Sequence, residues 1–187
     1  MTGGQPSSRA RCPRCLGGPG SCLCEALVPV DTRVRVVVLQ HVLEASKLSN
    51  TGRFVTEVLR PSELRLYGAQ GSPPPVEDLA HATLLFPGAG PSDATLPASR
   101  SLLVLDASWS QARRMVQRLP ALRALPRLSL KVDAPQKSLR DAPPGGLSTL
   151  QAVARALALW GEDEAATALE DVHARLLART LAARGYV

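Results

Sequence analysis

Two periods of apolar residues run through the chain. "RVRVVVLQ" (33–40) alternates and then fills with Val, the pattern of a strand buried on at least one face. "ATLLFPGAG" (82–90), "SLLVLD" (101–106) and "RLSLKVD" (127–133) give three more strands, the first running into a Pro/Gly loop. The stretches 68–75 and 90–99 are rich in Gly, Pro and Ser and predict loops. Between the strands the period changes to that of a helix. "SNTGRFVTEVLR" (49–60) offers Ser49 or Asn50 as a cap and Phe54, Val55, Val58 and Leu59 as an apolar side. After Asp106, the residues Trp109, Ala112, Met115, Val116 and Leu119 share one side of a helix that Pro120 ends. Gln111, Arg114 and Arg118 lie opposite, with Arg113 at the margin. "STLQAVARALALW" (148–160) opens with the Ser-x-x-Gln spacing of a capping box, is almost wholly apolar, and breaks at Gly161. A last helix starts acidic (Glu162, Asp163, Glu164) and ends basic (Arg175, Arg179, Arg184), as its dipole favours. Strands that alternate with helices predict an α/β fold, a mostly parallel sheet flanked by helices.

Composition narrows the picture. A chain of 187 residues closes one core, and with aromatics at 3% that core must be aliphatic. No apolar run approaches the roughly 20 residues of a membrane span. The N-terminus carries no apolar signal segment either, so no membrane association and a cytoplasmic location are expected. The net charge of +6 is concentrated: residues 105–140 hold eight Lys or Arg against two Asp, and the remainder balances. Arg outnumbers Lys by 19 to 3, which base composition of the genome would explain, but base composition does not place the surplus in one window. A local excess of guanidinium groups points to a polyanionic partner, nucleic acid above all.

All four cysteines fall in "CPRCLGGPGSCLC": Cys12, Cys15, Cys22 and Cys24, a C-x2-C-x6-C-x-C pattern with a Gly/Pro turn in its middle. Four reduced thiolates this close suit one tetrahedral Zn²⁺ in a structural role, with an iron–sulfur cluster as the alternative. Residues 1–26 are expected to form this knuckle and 27–187 the α/β domain.

Five segments in fixed order carry a family resemblance: the knuckle, "QHVLEASKLSNTGR", "LLFPG", "LDASWSQARRM" and "SLRDAPPGGLSTLQAVARAL". Together they make the chain similar to DTW-domain proteins, over nearly its whole length. The family's naming motif, Asp-x-Thr-Trp, stands here as Asp106-Ala107-Ser108-Trp109, and Val42 replaces the Pro usual after Gln-His. The family resembles tRNA-uridine aminocarboxypropyltransferases with a fold similar to SPOUT-class RNA-modifying enzymes. A knotted backbone is an expectation that the resemblance alone carries. The implied reaction moves the 3-amino-3-carboxypropyl group of S-adenosylmethionine (SAM) onto N3 of a tRNA uridine and leaves methylthioadenosine. The partners implied are SAM and tRNA; oligomeric state is open. Two other readings stand beside it. One is a SAM-dependent RNA methyltransferase of related fold, and the other a zinc-dependent RNA-binding module without chemistry.

The strand-end acid Asp106 is the first candidate for catalysis. It would take or align the uridine N3 proton, either as a base of raised pKa or as a positioning group, and it can also cap the helix that follows. Ser108 is a cap or a cofactor ligand, and Trp109 stacks on a base or on the adenine of the cofactor, or packs on the sheet. No Gly-x-Gly-x-x-Gly follows a strand, so the cofactor cradle is sought in Phe86, Pro87 and Gly88, the backbone at Leu105, and Leu147, Ser148 and Thr149 before the buried helix. By resemblance, His41, Glu44, Asn50, Thr51, Gly52 and Arg53 border the site. Arg53 would hold the carboxylate of the transferred group or a phosphate. Arg113, Arg114, Arg118 and Arg140 either grip the tRNA backbone or form a solvated face.

Overall fold

The alternation in "VRVVVLQ" resolves into a strand buried on both sides. In β1 (Val30–His41), Val34, Val36 and Val38 point to one face of a sheet while Val37 and Leu39 point to the other, and all five are fully buried. The structure, a computed structural model, describes residues 11–69, 76–87, 100–130, 146–183 and 185. Within them β2 (Leu59–Tyr67), β3 (Thr83–Leu85), β4 (Ser101–Asp106) and β5 (Arg127–Leu128) join β1 in one sheet of order β2-β1-β4-β3-β5, with every pairing parallel. Helices α1 (Gly52–Val58), α4 (Thr149–Leu159) and α5 (Asp163–Ala183) cover the face of Val36 and Val38. Helices α2 (Trp109–Arg118) and α3 (Pro120–Ala124) cover the face of Val37 and Leu39. Parallel sheets need this double cover, which is why β1 and β4 read as unbroken apolar runs.

The strand over 101–106 falls where the sequence places it, and the strands expected at 82–90 and 127–133 are shorter, at Thr83–Leu85 and Arg127–Leu128. Both capping boxes form: Ser108 with Gln111 on α2 and Ser148 with Gln151 on α4. Gly161 ends the latter region with φ +72, a left-handed value that disfavours any side chain. Glu162 stands just before α5, where its carboxylate accepts from Thr32 Oγ1 (2.9 Å), Arg33 N (3.1 Å) and Arg33 Nε (2.5 Å), fixing the start of β1.

Two expectations change. The helix read over 49–60 is confined to Gly52–Val58; Thr51 holds the N-cap position without a side-chain bond, while Asn50 Oδ1 accepts from the first-turn amide of Arg53 at 3.3 Å, the capping expected of it. The chain then turns into β2, which the sequence did not announce. That strand lies at the sheet edge and alternates charge with partial burial (Arg60, Glu63, Arg65), so it lacks the apolar run of an inner strand. Arg65 and Arg35 bind Glu63 and Asp78 across it. The path from β5 to α4 runs through 131–145, outside the described residues, and with it the expected knot; Gly88, the loop 90–99 and Arg140 also lie outside them.

Candidate active site and metal centre

Neighbouring strands β1 and β4 end in register, Gln40 opposite Asp106, but their chains leave in opposite directions. The chain after β1 goes to α1 on one face, and the chain after β4 goes to α2 on the other. Such a divergence opens a crevice at the carboxyl ends of a parallel sheet, the usual place for a ligand in this class of fold. Asp106 sits at that point, 4% exposed.

Its carboxylate is the hub of the crevice. Oδ2 accepts from Gln40 Nε2 at 2.7 Å and from Asn50 Nδ2 in a shorter contact, and Oδ1 accepts from Thr149 Oγ1 at 2.7 Å. Asn50 Oδ1 in turn accepts from Gln40 Nε2 (3.2 Å) and from the Arg53 amide (3.3 Å). Thr51 Oγ1 accepts from the Leu150 amide at 3.4 Å, one of the free N–H groups at the start of α4. One carboxylate thus ties β4, β1, the loop before α1 and the head of α4. Gln40 belongs to this network and was not singled out in the sequence; a lone Gln at the end of an apolar strand carries no signal until its partner is known.

Gly52 is explained by the same carboxylate. A Cβ built on it would lie 2.4 Å from Asp106 Cγ, well inside contact. Gly52→Ala must therefore push Asp106 or α1 aside. We expect a loss of about 2–3 kcal/mol in unfolding experiments, the upper end of overpacking costs, together with loss of the site's activity.

Arg53 lies half-buried beside the hub. Its Nη2 donates to Ala45 O at 2.5 Å, while its buried Nε has no hydrogen-bond partner among the described residues. Burial lowers its pKa and the negative charge of Asp106 works against that shift. Glu44 is buried and bound by Lys47 Nζ at 2.6 Å, so it braces the turn after β1. His41 caps that turn, its Nδ1 accepting from the Leu43 amide at 3.2 Å, which leaves the proton on Nε2. Burial lowers the pKa of His41 below the ordinary histidine value.

A cleft of about 200 Å³ opens next to the hub. Phe86, Pro87, Leu105, Leu147 and Thr149 all line it, so the cradle residues expected from three separate segments converge. Ser148 adjoins them as the cap of α4, and Ser108 caps α2 across the cleft. Trp109, placed on the packing side of its helix by sequence, is 39% exposed and lines the cleft instead, tilted toward Phe86 at 6.5 Å. Arg127 lies over the other ring, 5.7 Å from its centroid. Among only six aromatic side chains in the chain, two serve this one cleft.

At the other end of the molecule the four cysteines form one group. Their Sγ atoms all lie within 4.8 Å of one another, with Cys12–Cys24 at 3.4 Å and Cys15–Cys22 at 3.7 Å. A tetrahedral Zn²⁺ with Zn–S of about 2.3 Å spaces its sulfurs about 3.8 Å apart, so the donor set fits the ion. The amides of Gly17 and Leu23 both point to Cys15 Sγ at 3.4 Å. Burial opposes the Cys15 thiolate, yet these amides and the neighbouring thiols outweigh it and bring the thiol down to about 6. The loop is pinned to the rest of the chain. Arg179 of α5 donates to Cys15 O (3.3 Å) and Ser21 O (3.5 Å), Arg14 pairs with Glu57 of α1, and Cys15 is fully buried in the first-face core.

The fold and these sites define a parallel α/β protein with a crevice at its strand ends and a four-thiol knuckle docked on its terminal helix. The chain belongs to the DTW domain family, whose domain matches residues 9–181. It is 26% identical over 174 residues to tRNA-uridine aminocarboxypropyltransferase 2 of Drosophila melanogaster, an alignment covering 82% of this chain and 68% of that protein. No solved structure matches it. Among the described residues no helix is long and apolar enough to cross a membrane.

Proposed function

We propose that the protein transfers the 3-amino-3-carboxypropyl group of SAM to N3 of a tRNA uridine. The observation that carries this reading is the meeting of the cleft and the hub at Thr149. Its side chain lines the cleft and donates to Asp106. The relative's name supports the substrate and the reaction class.

The residues suit each part of SAM. The apolar walls with Phe86 and Trp109 accept a flat adenine, and the Thr149 amide at the start of α4 serves its polar edge, the Leu150 and Gln151 amides being already bound. The described walls enclose less than the roughly 300–1,000 Å³ of a site that wraps a whole drug-sized ligand, so they account for the nucleoside part. The buried, unpartnered Nε of Arg53 is a reserved donor for the carboxylate of the amino-acid arm. SAM, when bound, supplies an electrophilic carbon on its sulfonium.

Asp106 does its work as a positioned acceptor. A carboxylate has about four acceptor sites. Three are taken, and the open one is on Oδ1, the oxygen that shares Thr149 with the cleft. There it holds the uridine N3–H in line and accepts the proton as N3 attacks, a contribution of about 10²–10⁴ in rate. The four-cysteine site holds Zn²⁺ for structure, since four protein thiolates leave no open position. Arg113, Arg114 and Arg118 are exposed on α2 and contact the RNA backbone.

The test incubates the protein with unmodified tRNA and SAM and identifies the small product. Methylthioadenosine is expected; S-adenosylhomocysteine would make the protein a methyltransferase, and no product would make it a binding module. Trp109→Ala should weaken SAM binding about tenfold, in line with the ~1–3 kcal/mol that stacking on an aromatic side chain contributes. Because Trp109 is exposed, its thermal midpoint should stay unchanged, and a calorimetric titration beside a melt checks both.

A further inference from the structure

A second cleft, of about 190 Å³, shares none of the first cleft's lining residues. His41, Leu43 and Tyr67 at the ends of β1 and β2 form one wall, and Gln111, Arg114, Met115 and Arg118 of α2 form the other. We propose that this cleft is a nucleotide subsite for single-stranded RNA, seating a nucleotide next to the target uridine, with its base on Tyr67 and its phosphate on Arg114 and Arg118. The proposal rests on the reading of the protein as an RNA-modifying enzyme; it gives Arg114 and Arg118 a specific place in that reading and adds Tyr67 and His41, which it did not use.

Three observations support it. First, Arg114 and Arg118 stand one turn apart on α2, where like charges repel. Among the described residues no carboxylate pairs with either, so both charges stand unneutralised on the cleft wall. Arg114 Nε reaches only the Ser110 carbonyl (3.2 Å), which leaves its terminal nitrogens available. Two unneutralised guanidinium groups on one cleft wall are a site for a phosphodiester. Second, Tyr67 is partly exposed and is braced by His41, ring edge to ring at 5.8 Å. A fixed aromatic side chain with an open side is the platform on which unpaired bases stack. Third, His41 carries its proton on Nε2, since Nδ1 accepts from Leu43 N, so the same wall offers a donor to a base edge or ribose oxygen. Both clefts connect to one hub: His41 follows Gln40 in β1, Thr149 of the first cleft donates to Asp106, and α2 lines both clefts. On this proposal a strand whose target uridine sits at Asp106 sets its neighbour on Tyr67.

The probe is a fluorescein-labelled oligouridylate about eight nucleotides long, within the site sizes of single-strand binding folds. Its affinity is measured over a salt series with the wild type, Tyr67→Ala and the double variant Arg114→Gln/Arg118→Gln. All three are first matched by circular dichroism and by SAM affinity, which reports on the other cleft. Tyr67→Ala should weaken the oligonucleotide at least fivefold with the salt slope unchanged, because stacking is lost and no phosphate contact is. The double variant should weaken it at least tenfold and flatten the slope by about 1.4, the value for two phosphates on a single strand. Unchanged affinity and slope in both, or no oligonucleotide binding by the wild type, overturns the subsite. Transfer to tRNA that proceeds with undiminished kcat/KM in both variants also overturns it while leaving the transferase reading intact. Oligonucleotide binding with these losses, but no transfer by the wild type, would reject the transferase and keep the subsite.

Discussion

Asp106→Asn should lower aminocarboxypropyl transfer by about 10²–10⁴-fold and should also destabilise the protein by about 2–4 kcal/mol. The first effect follows from the acceptor: an amide cannot take the N3 proton. The second follows from the surroundings. Gln40, Asn50 and Thr149 all donate to the carboxylate; an asparagine can still accept from Gln40 and Asn50 and donate to the Thr149 hydroxyl, but all three bonds lose the carboxylate charge. Hydrogen bonds to charged groups contribute about 1.5–3 kcal/mol against about 0.5–1.5 for neutral pairs, so three weakened bonds cost about 2–4 kcal/mol. Sequence reasoning alone would expect catalysis to vanish and the fold to be untouched. The hydrogen bonds say that both change, because one side chain ties four elements together. Activity and urea unfolding measured on the same preparation separate the effects. An Asn variant that unfolds at the wild-type midpoint would contradict the hub, and one that keeps full transfer would contradict the acceptor role.

Removing the metal should have the larger effect on stability. A strong chelator, or Cys15→Ser, should lower the thermal midpoint by about 10 °C or more, since a domain of this size shifts about 2–4 °C per kcal/mol and the loss is several kcal/mol. The size comes from where the knuckle sits. Cys15 is fully buried among residues of the first-face core, and its carbonyl and that of Ser21 hold Arg179 of α5. Arg14 of the same loop pairs with Glu57 of α1, five residues on from Gly52 and the hub. Loss of the ion should therefore weaken SAM binding as well as melt the knuckle. Metal analysis of the purified protein, followed by melts with and without chelator, checks this. A chelated, metal-free protein with an unshifted melt would show that the four thiols stabilise nothing.

Much of this molecule was legible along the chain. The inner strands could be read because a sheet covered on both faces demands unbroken apolar runs, and β1 and β4 have them. The start of α4 could be read because Ser-x-x-Gln spacing solves a local problem, the free amides of the first turn, while at α2 only Ser108 as a cap was legible. The four cysteines could be read because one turn of chain brings them together. Edge strand β2 could not, since charge rather than apolarity marks an edge, and the end of α1 blurred into it. Trp109 was legible only as an alternative, since its place on an apolar stripe left stacking and packing both open; its exposure beside the cleft is set by the tertiary structure.

The local devices are written in the chain: inner strands, caps, knuckle, and an acid at a strand end. Tertiary structure alone decided that Gln40, Asn50 and Thr149, 66, 56 and 43 residues away from Asp106, would share its two oxygens, and that Gly52 had to lack a side chain to let them. The reason is physical. Periodicity and capping are short-range properties written in neighbouring residues, whereas a hydrogen-bonded hub is set by strand register and by which face each connection takes.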